Sequence, residues 1–313
     1  MLDEAVLHPL QKKVKIPERM QLTIAECVER TQSKSLKSPQ KLFLPGLDEF
    51  MRSIPNHIAR SSLFAPVGKG SRSRKSKATF KDAILFSRAD AVIKFWGEQL
   101  DEAQADVWLQ ALHEAIKRPF GEEIIIKRAE FLRAIGRHTG GDEYRWLNQT
   151  MQSLTFAMLV IEVTKNGKPK FAVGKNSALH LIESFSYDDV TECYRYRIDP
   201  RWKIMYSNYE YSFINWEKRL QLRHDMAKSL QRIIATSDQS LQRHALDFEE
   251  NGPPGLKKIL QYSGRMRDFR IALRRAMDEL ERVGIIAAGR FEISSKKKEQ
   301  AVWTRLPEDG VEK

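Results

Sequence analysis

The stretch "FRIALRRAMDELERVGII", residues 269–286, combines an apolar stripe with a cluster of arginines on the opposite side. Leu273, Met277 and Leu280 recur at the spacing of one helix face, which predicts a helix that packs on a core. Gly284 is expected to end this helix, because glycine readily adopts the left-handed conformation that follows a last turn. The apolar runs "IIAAGRFEI" and "AVWTRL", on either side of the basic "SSKKK", then predict a β-hairpin.

A second copy of this order occurs earlier in the chain. "EYRWLNQTMQSLTFAMLV", residues 143–160, carries the same Leu-Met-Leu spacing and leads into the hairpin pattern "FAMLVIEVTKNGKPKFAV". "FLRAIGR" (131–137) precedes it just as "ILQYSGR" (259–265) precedes the later copy, with Gly-Arg in the same place. A helix, a turn, a longer helix and a β-hairpin make up the winged-helix arrangement. The sequence therefore predicts an α+β fold with two tandem winged-helix domains related by internal duplication.

Composition shifts along the chain indicate where the domains begin and end. Between Arg52 and Lys81 the sequence has eight basic residues and no acidic one, which favours a solvated tether. We predict five segments: a flexible basic N-terminal region with a candidate short interaction motif (1–50), a basic tether (51–78), the first winged-helix domain (79–203), the second winged-helix domain (204–306) and a tail (307–313).

The composition favours a polyanionic partner and argues against several classes of protein. The 313 residues carry a formal net charge of +12, and an excess of this size favours association with phosphates. A basic protein without a nucleic-acid role is the alternative on charge alone. The sequence contains no run of about 18 apolar residues, so no membrane span is predicted. The N-terminus lacks the pattern of a secretory signal. Cys27 and Cys193 are the only cysteines, so we expect no disulfide framework and no metal site, and a location in the reducing cytoplasm.

The outward side of each longer helix supplies candidate DNA-binding residues. Arginine pairs with guanine, asparagine and glutamine pair with adenine, and isoleucine can meet the methyl group of thymine. These residues are Arg265, Arg267, Arg270, Ile271, Arg274 and Arg275 in the second copy, and Arg145, Asn148, Gln149 and Gln152 in the first. The alternative is a solvated helix face, on which arginine and glutamine are common.

The tips of both predicted hairpins, or wings, are basic. They carry Lys165, Lys168 and Lys170 in the first copy, and Lys296, Lys297 and Lys298 in the second. Lysines at such tips contact phosphate and contribute affinity rather than sequence choice. An exposed tip without a partner is the alternative.

Five pieces of the sequence have a specific pattern. They are "MRSIPNHIARSSLF" (51–64), "VWLQALHEAIKRPFGEEI" (107–124), "YRWLNQTMQSLTFAM" (144–158), "INWEKRLQL" (214–222) and "RRAMDELERVGII" (274–286). The first is the most distinctive, a Met-Arg-x-(apolar)-Pro-Asn stretch followed by Ala-Arg-Ser-x-Leu-Phe. In these pieces the chain resembles the TrfA family of plasmid replication initiators, and the similarity runs from about residue 40 to about residue 290.

The resemblance implies a cytoplasmic bacterial initiator that binds direct repeats, called iterons, at a plasmid origin and helps to open the neighbouring AT-rich DNA. It also implies recruitment of host DnaA, the replicative helicase and the sliding clamp, and a homodimer in equilibrium with a monomer. By the same analogy, the apolar strands in "FAMLVIEV" and "ILFSRADAV" are expected to pair between two copies. The family's clamp-binding peptide resembles "PQKLFLPGL", where Gln40, Leu42 and Phe43 are its candidate residues, although the glutamine is out of register.

Two other functions compete with this one. A winged-helix transcriptional repressor that binds an operator would use the same surface. A nicking enzyme would need a histidine cluster and a nucleophilic tyrosine, but the seven histidines are scattered and no His-x-His occurs. The phosphate-binding pattern GxxxxGK[ST] is also missing. We therefore expect a protein without catalytic residues, cofactor or metal.

Overall fold

The computed structural model describes residues 49–66, 78–87, 90–115, 117–119, 121–165, 167–238, 240–249 and 254–307. The N-terminal region with Gln40, Leu42 and Phe43, most of the predicted tail, and residues 67–77 of the predicted tether lie outside the described residues. All of the described residues belong to one compact unit, Leu42–Lys313. None of the helices in this part of the chain is long and apolar enough to cross a membrane.

The elements of the first two thirds of the described chain follow in order. They are β1 (Met51–Pro55), α1 (Asn56–Ala59), β2 (Phe64–Ala65), β3 (Thr79–Leu85), β4 (Ala91–Glu98), β5 (Leu100–Asp101), α2 (Glu102–Ala115), β6 (Ile124–Lys127), α3 (Arg128–Ala134), α4 (Gly141–Phe156), β7 (Met158–Lys165), β8 (Lys168–Val173), β9 (Leu179–His180), β10 (Ser184–Asp188) and β11 (Cys193–Arg197).

The remaining elements lead into and form the second module. After a 3-10 turn (Pro200–Trp202) they are α5 (Lys203–Ser207), β12 (Tyr211–Asn215), α6 (Trp216–Leu220), α7 (Asp225–Ala235), β13 (Arg243–Asp247), α8 (Leu256–Ile259), α9 (Met266–Arg282), β14 (Ile286–Ile293) and β15 (Glu299–Arg305).

The second module is a winged helix built from α7 to β15. Its three strands form an antiparallel sheet in the order β13-β15-β14, so the wing β14–β15 closes against the strand that precedes the helix-turn-helix. The stripe Leu273, Met277 and Leu280 is fully buried, as the helix periodicity predicts. Phe248 packs edge-on against both Phe269 and Phe291, and these rings join helix α9 to the wing.

The first module repeats this order in α2, β6, α3, α4, β7 and β8. Its stripe, Leu147, Met151 and Leu154, is also fully buried. The wing strands belong to a larger sheet in the order β3-β4-β7-β8, with β9 on β7, whereas β6 joins a separate sheet in the order β10-β11-β6. The α+β winged-helix prediction is therefore confirmed for both modules. The internal duplication stays a prediction.

Residues 51–65 differ from the tether that the sequence predicts over 51–78. All five residues of β1 are buried, and the strand pairs with β12 in antiparallel register. The basic residues that suggest a tether are used internally: Arg52 donates to Oε1 of Gln110 at 2.9–3.0 Å, and Arg60 donates to the carbonyl of Thr236 at 2.8 Å. We call residues 51–65 the junction strap, because they contact helices of both modules.

The sequence predicts that the first domain ends at residue 203, but the boundary between the two hydrophobic cores lies later in the chain. Ile214 and Trp216 belong to the core of the first module, and the core of the second begins at Leu222. The apolar spacing of "INWEKRLQLRHDMAKSLQRIIATS" (214–237) predicts one helix, but this region forms two helices, α6 and α7. Between the two helices, the carboxylate of Glu279 accepts hydrogen bonds from the backbone N–H groups of Arg223 and His224.

The prediction that β7 pairs with a strand of a second copy is wrong. This strand pairs with β4 on one side, for example Ile161 with Ile93, and with β8 on the other. A strand with two neighbours has no free edge for a second copy. The two runs that are expected to meet between copies thus meet within one chain.

A buried ionic cluster joins the modules behind the junction strap. Helix α2 contributes Glu102 and Asp106, and the second module and the helix before it contribute Arg219, Lys228 and Arg232. Glu102 and Arg219 are completely buried and lie 2.8 Å apart. Burial alone would raise the pKa of Glu102, but the guanidinium groups of Arg232 and Arg219 outweigh it and lower the pKa to about 2. We call these five residues the junction cluster.

Candidate nucleic-acid interface

The turn between α8 and α9 presents the start of the long helix to solvent. A side chain at Gly264 would lie 2.7 Å from the ring of Tyr262, so this close approach requires glycine. The ring of Tyr262 is itself held against Phe269 at a centroid distance of 5.3 Å. Arg265 is the N-cap residue of α9 and is exposed. The first turn of α9 therefore projects from a short, tightly packed turn.

One line of residues on α9 points directly away from the core. At about 100° per residue, Ile271 lies opposite the buried Leu273 and Leu280, and its side chain is 45% exposed. Arg267 lies one turn before Ile271 and Arg275 one turn after it, rotated by about 40° in opposite directions around the helix. Both arginines are exposed. We call Arg267, Ile271 and Arg275 the recognition stripe. In the part of the chain that the structure describes, neither arginine forms an ion pair.

Two other predicted base-contacting arginines are held by the protein itself. Arg270 forms hydrogen bonds of 2.6–3.2 Å with the carboxylate of Glu299, the first residue of β15, and these bonds raise its pKa. Arg274 donates to the carbonyl of Gly289 at 2.6 Å and lies 3.1 Å from the carboxylate of Asp278. Arg270 and Arg274 thus fasten the helix to the wing, whereas the recognition stripe remains available together with the exposed N-cap residue Arg265.

The wing of the second module ends in an ordered basic tip. Lys296, Lys297 and Lys298 are all exposed. The carbonyl of Ser294 accepts the N–H of Lys297 at 2.9 Å, and the carbonyl of Lys298 accepts the N–H of Ser294 at 2.7 Å. Glu299 follows Lys298 directly and pairs with Arg270 of α9. This pair fastens the basic tip of the wing to the helix that carries the recognition stripe.

The outward face of α4 in the first module is different. Arg145 is exposed but pairs with Asp142 one turn earlier. Gln149 and Gln152 are exposed and Asn148 is half-buried. Aligned on the two Leu-Met-Leu stripes, Gly141, Arg145 and Gln149 occupy the places of the recognition stripe.

The first module also places carboxylates beside this face. Gln149 and Gln152 line an open groove of about 630 Å³ together with Glu98, Asp101 and Phe156, whose side chain is 73% exposed. Carboxylates at this position would repel DNA phosphates. The predicted roles of Arg145, Asn148, Gln149 and Gln152 stay predictions, and the structure gives them less electrostatic support than the residues of α9.

The lysines of the first wing are divided between solvent and protein. Lys165 and Lys168 are exposed partners at the tip of the hairpin. Lys170 forms an ion pair with Glu210, so its charge is largely compensated.

Two lysines that the sequence analysis did not select lie on α8. Lys257 and Lys258 are the second and third residues of this short helix, and the first helix of a helix-turn-helix usually crosses the phosphate backbone. Lys258 lies 5.5 Å from the ring centroid of Phe86. The basic pair in "LKKIL" was the signal that could have identified them.

Comparison with known proteins gives structural neighbours only. No protein-family model matches the sequence, and comparison with curated protein sequences gives no match. A crystal structure of domains 2 and 3 of RctB is 11% identical, covers 82% of this chain and 99% of its own, and gives a TM-score of 0.49. A second structure of RctB domains 2–3 is 9% identical, covers 80% and 97%, and gives 0.45. Both scores are below 0.5, so these neighbours do not assign a function to the chain.

Proposed function

We propose that this protein is a plasmid replication initiator that binds iteron repeats at an origin through its second winged helix. The observation that carries the proposal is the recognition stripe: Arg267, Ile271 and Arg275 are exposed on the helix that follows the turn. Three lysines extend from the wing beside it. A net charge of +12 supports association with duplex DNA. The assignment to replication is supported by the resemblance of "MRSIPNHIARSSLF" and the other quoted pieces to the TrfA family.

In the proposed complex, α9 enters the major groove and its first turns face the base edges, as in other helix-turn-helix proteins. The lysines of the wing and of α8 contact phosphates on either side and supply affinity for any sequence. The junction strap and the junction cluster hold the first module in place, so that it reaches the same DNA molecule. The protein acts by binding, opening the origin and recruiting host replication proteins, without a catalytic step or cofactor of its own.

The test begins with selection of bound duplexes from a randomised DNA pool, followed by footprinting on DNA that flanks the gene. The initiator proposal predicts protection that recurs at one or two helical turns, roughly every 10 or 21 base pairs. It also predicts permanganate-reactive thymines in adjacent AT-rich DNA, because an opened duplex exposes thymine to oxidation.

Two outcomes would overturn the proposal in different ways. A single protected site with no reactive thymines would favour the transcriptional repressor. Equal binding of all sequences would remove the role of the recognition stripe altogether. The variant Arg197→Ala, which removes an exposed arginine from β11, is the charge-matched control and should bind as the unaltered protein does.

A further inference from the structure

The spacing of the recognition stripe limits how much DNA it can read. Arg267 and Arg275 are separated by two helical turns, which is about 12 Å along the axis of α9. Successive base pairs are about 3.4 Å apart. The stripe therefore spans about four base pairs, and its three side chains meet them in the order in which they follow along the helix.

The shapes of the three side chains fit this arrangement. The two arginines are long and flank Ile271, which is short and points directly away from the core. An isoleucine can touch a base edge only where the helix backbone lies close to the floor of the groove, whereas an arginine reaches it from farther away. A straight helix against a curved groove is nearest the bases at its middle, where Ile271 is placed.

Ile271 carries an exposed apolar surface between two charged residues, and it has no polar atom that could bond to a base. The methyl group of thymine is the apolar feature that the major groove offers. An isoleucine in contact with this methyl group loses its exposure to water, so the contact is favourable.

The structure also shows which of the arginines within α9 remain for guanine. Arg270 is engaged by Glu299, and Arg274 by Gly289 and Asp278. Arg267 and Arg275 have no such partner among the described residues, so their guanidinium groups are free to form the bidentate contact with O6 and N7 of guanine. Asp278 is the next exposed residue on this side of α9, and its carboxylate ends the stretch that can approach DNA.

We infer that the second module reads a guanine, a thymine and a guanine in that order within about four base pairs, with Arg267, Ile271 and Arg275 as their respective partners. The bases can lie on either strand. The thymine is distinguished by its methyl group alone. This inference rests on the proposed function, since it names the sequence class that the same helix would select.

The test uses the site selected from the randomised pool and replaces single bases by analogues. Deoxyuridine in place of the central thymine removes only the methyl group and should weaken binding about fourfold, the effect of one buried methyl group. For Ile271→Ala the same replacement should change nothing, and Ile271→Val should give an intermediate result. Circular dichroism and the melting temperature of each variant verify that it remains folded.

The order of the two guanines is tested separately. Replacing one guanine by 7-deazaguanine removes its N7 acceptor and should weaken binding by roughly tenfold. Arg267→Ala should become insensitive to the analogue at one end of the site, and Arg275→Ala to the analogue at the other end.

The failure of this inference is distinguishable from failure of the proposed function. A selected site without a thymine between guanines, or equal binding of thymine and deoxyuridine, would overturn the inference while specific DNA binding still stood. So would loss of sensitivity to the same guanine in both arginine variants. If no sequence is selected from the pool, the proposed function fails together with the inference.

Discussion

The long helices of the two modules, α4 and α9, bury the same Leu-Met-Leu stripe and differ on their outward sides. On α9 the outward line is Arg267, Ile271 and Arg275, beside a wing tip with three lysines. On α4 the arginine pairs with Asp142, and the glutamines line a groove that also contains Glu98 and Asp101. The inward side of each helix determines the fold and the outward side determines what it can bind, so equal folds need not have equal functions.

The largest effect on stability is expected at the junction cluster, which joins the modules that carry the two helices. Glu102→Gln leaves the buried Arg232 without its carboxylate and leaves Arg219 with Asp106 alone. Loss of one partner from a buried pair destabilises by about 3–5 kcal/mol. Urea unfolding followed by fluorescence measures the loss. Glu183→Gln, which alters an exposed ion pair with Arg197, is the matched control and should change stability by less than about 0.5 kcal/mol.

Acid should weaken the same cluster. The folded pKa of Glu102, about 2, lies below its ordinary value of 4.5, so its contribution to stability is fully present above about pH 4.5 and is lost as the pH falls towards 2. Urea unfolding at a series of pH values should show a decline of up to about 3 kcal/mol from this group. If Glu102→Gln shows the same decline over this range, the ionised carboxylate is not its source.

The comparison of the two helices is sharpened by matched arginine variants. Arg267→Ala should weaken binding to the selected duplex by about 1–3 kcal/mol, because the arginine would read a base. Arg145→Ala removes an exposed arginine that is already paired, so its effect should stay below about 1 kcal/mol. Fluorescence anisotropy at fixed salt measures both. Equal losses would show that α4 contributes as much as α9.

The wings should differ by their salt dependence. Lys297→Ala should weaken binding to all sequences alike and lower the slope of log K against log salt by about 0.9, as expected for one lost phosphate contact. Lys170→Ala should change this slope less, since Lys170 is paired with Glu210. An unchanged slope in Lys297→Ala would place the tip of the second wing away from DNA.

The smallest effect is expected at the connection between α9 and its wing. Glu299→Gln removes the negative charge that neutralises Arg270, so all duplexes should bind somewhat more tightly and the salt slope should increase. Titration with random-sequence duplex measures this gain. A weaker affinity would mean that Glu299 serves DNA binding by positioning Arg270.

Local patterns predicted the two helices and their wings well, because the apolar spacing, the turn before α9 and the glycine after it are all contained within short stretches. The junction strap could not be predicted in this way. Gln110 and Thr236, the partners by which Arg52 and Arg60 contact helices of the two modules, are 58 and 176 residues away, so the local sequence does not indicate these contacts. A run of basic residues without acidic ones therefore resembled a tether.

The candidate site shows the same limit. The exposure of the recognition stripe followed from helix periodicity, and the pairing of Arg274 with Asp278 could have been predicted from their four-residue separation. The pairing of Arg270 with Glu299 depends on the register of the hairpin, 29 residues farther along, and could not. The acidic groove beside α4 likewise brings together residues from separate elements.

The most direct test of the central claim is the ratio of affinities for the selected duplex and for random duplex in the double variant Arg267→Ala/Arg275→Ala. If the recognition stripe reads the bases, this ratio falls close to one. The charge-matched double variant Arg195→Ala/Arg197→Ala, which removes two arginines from β11 of the first module, keeps the ratio of the unaltered protein. If the ratio of the Arg267→Ala/Arg275→Ala protein remains that of the unaltered protein, the second module does not select the sequence.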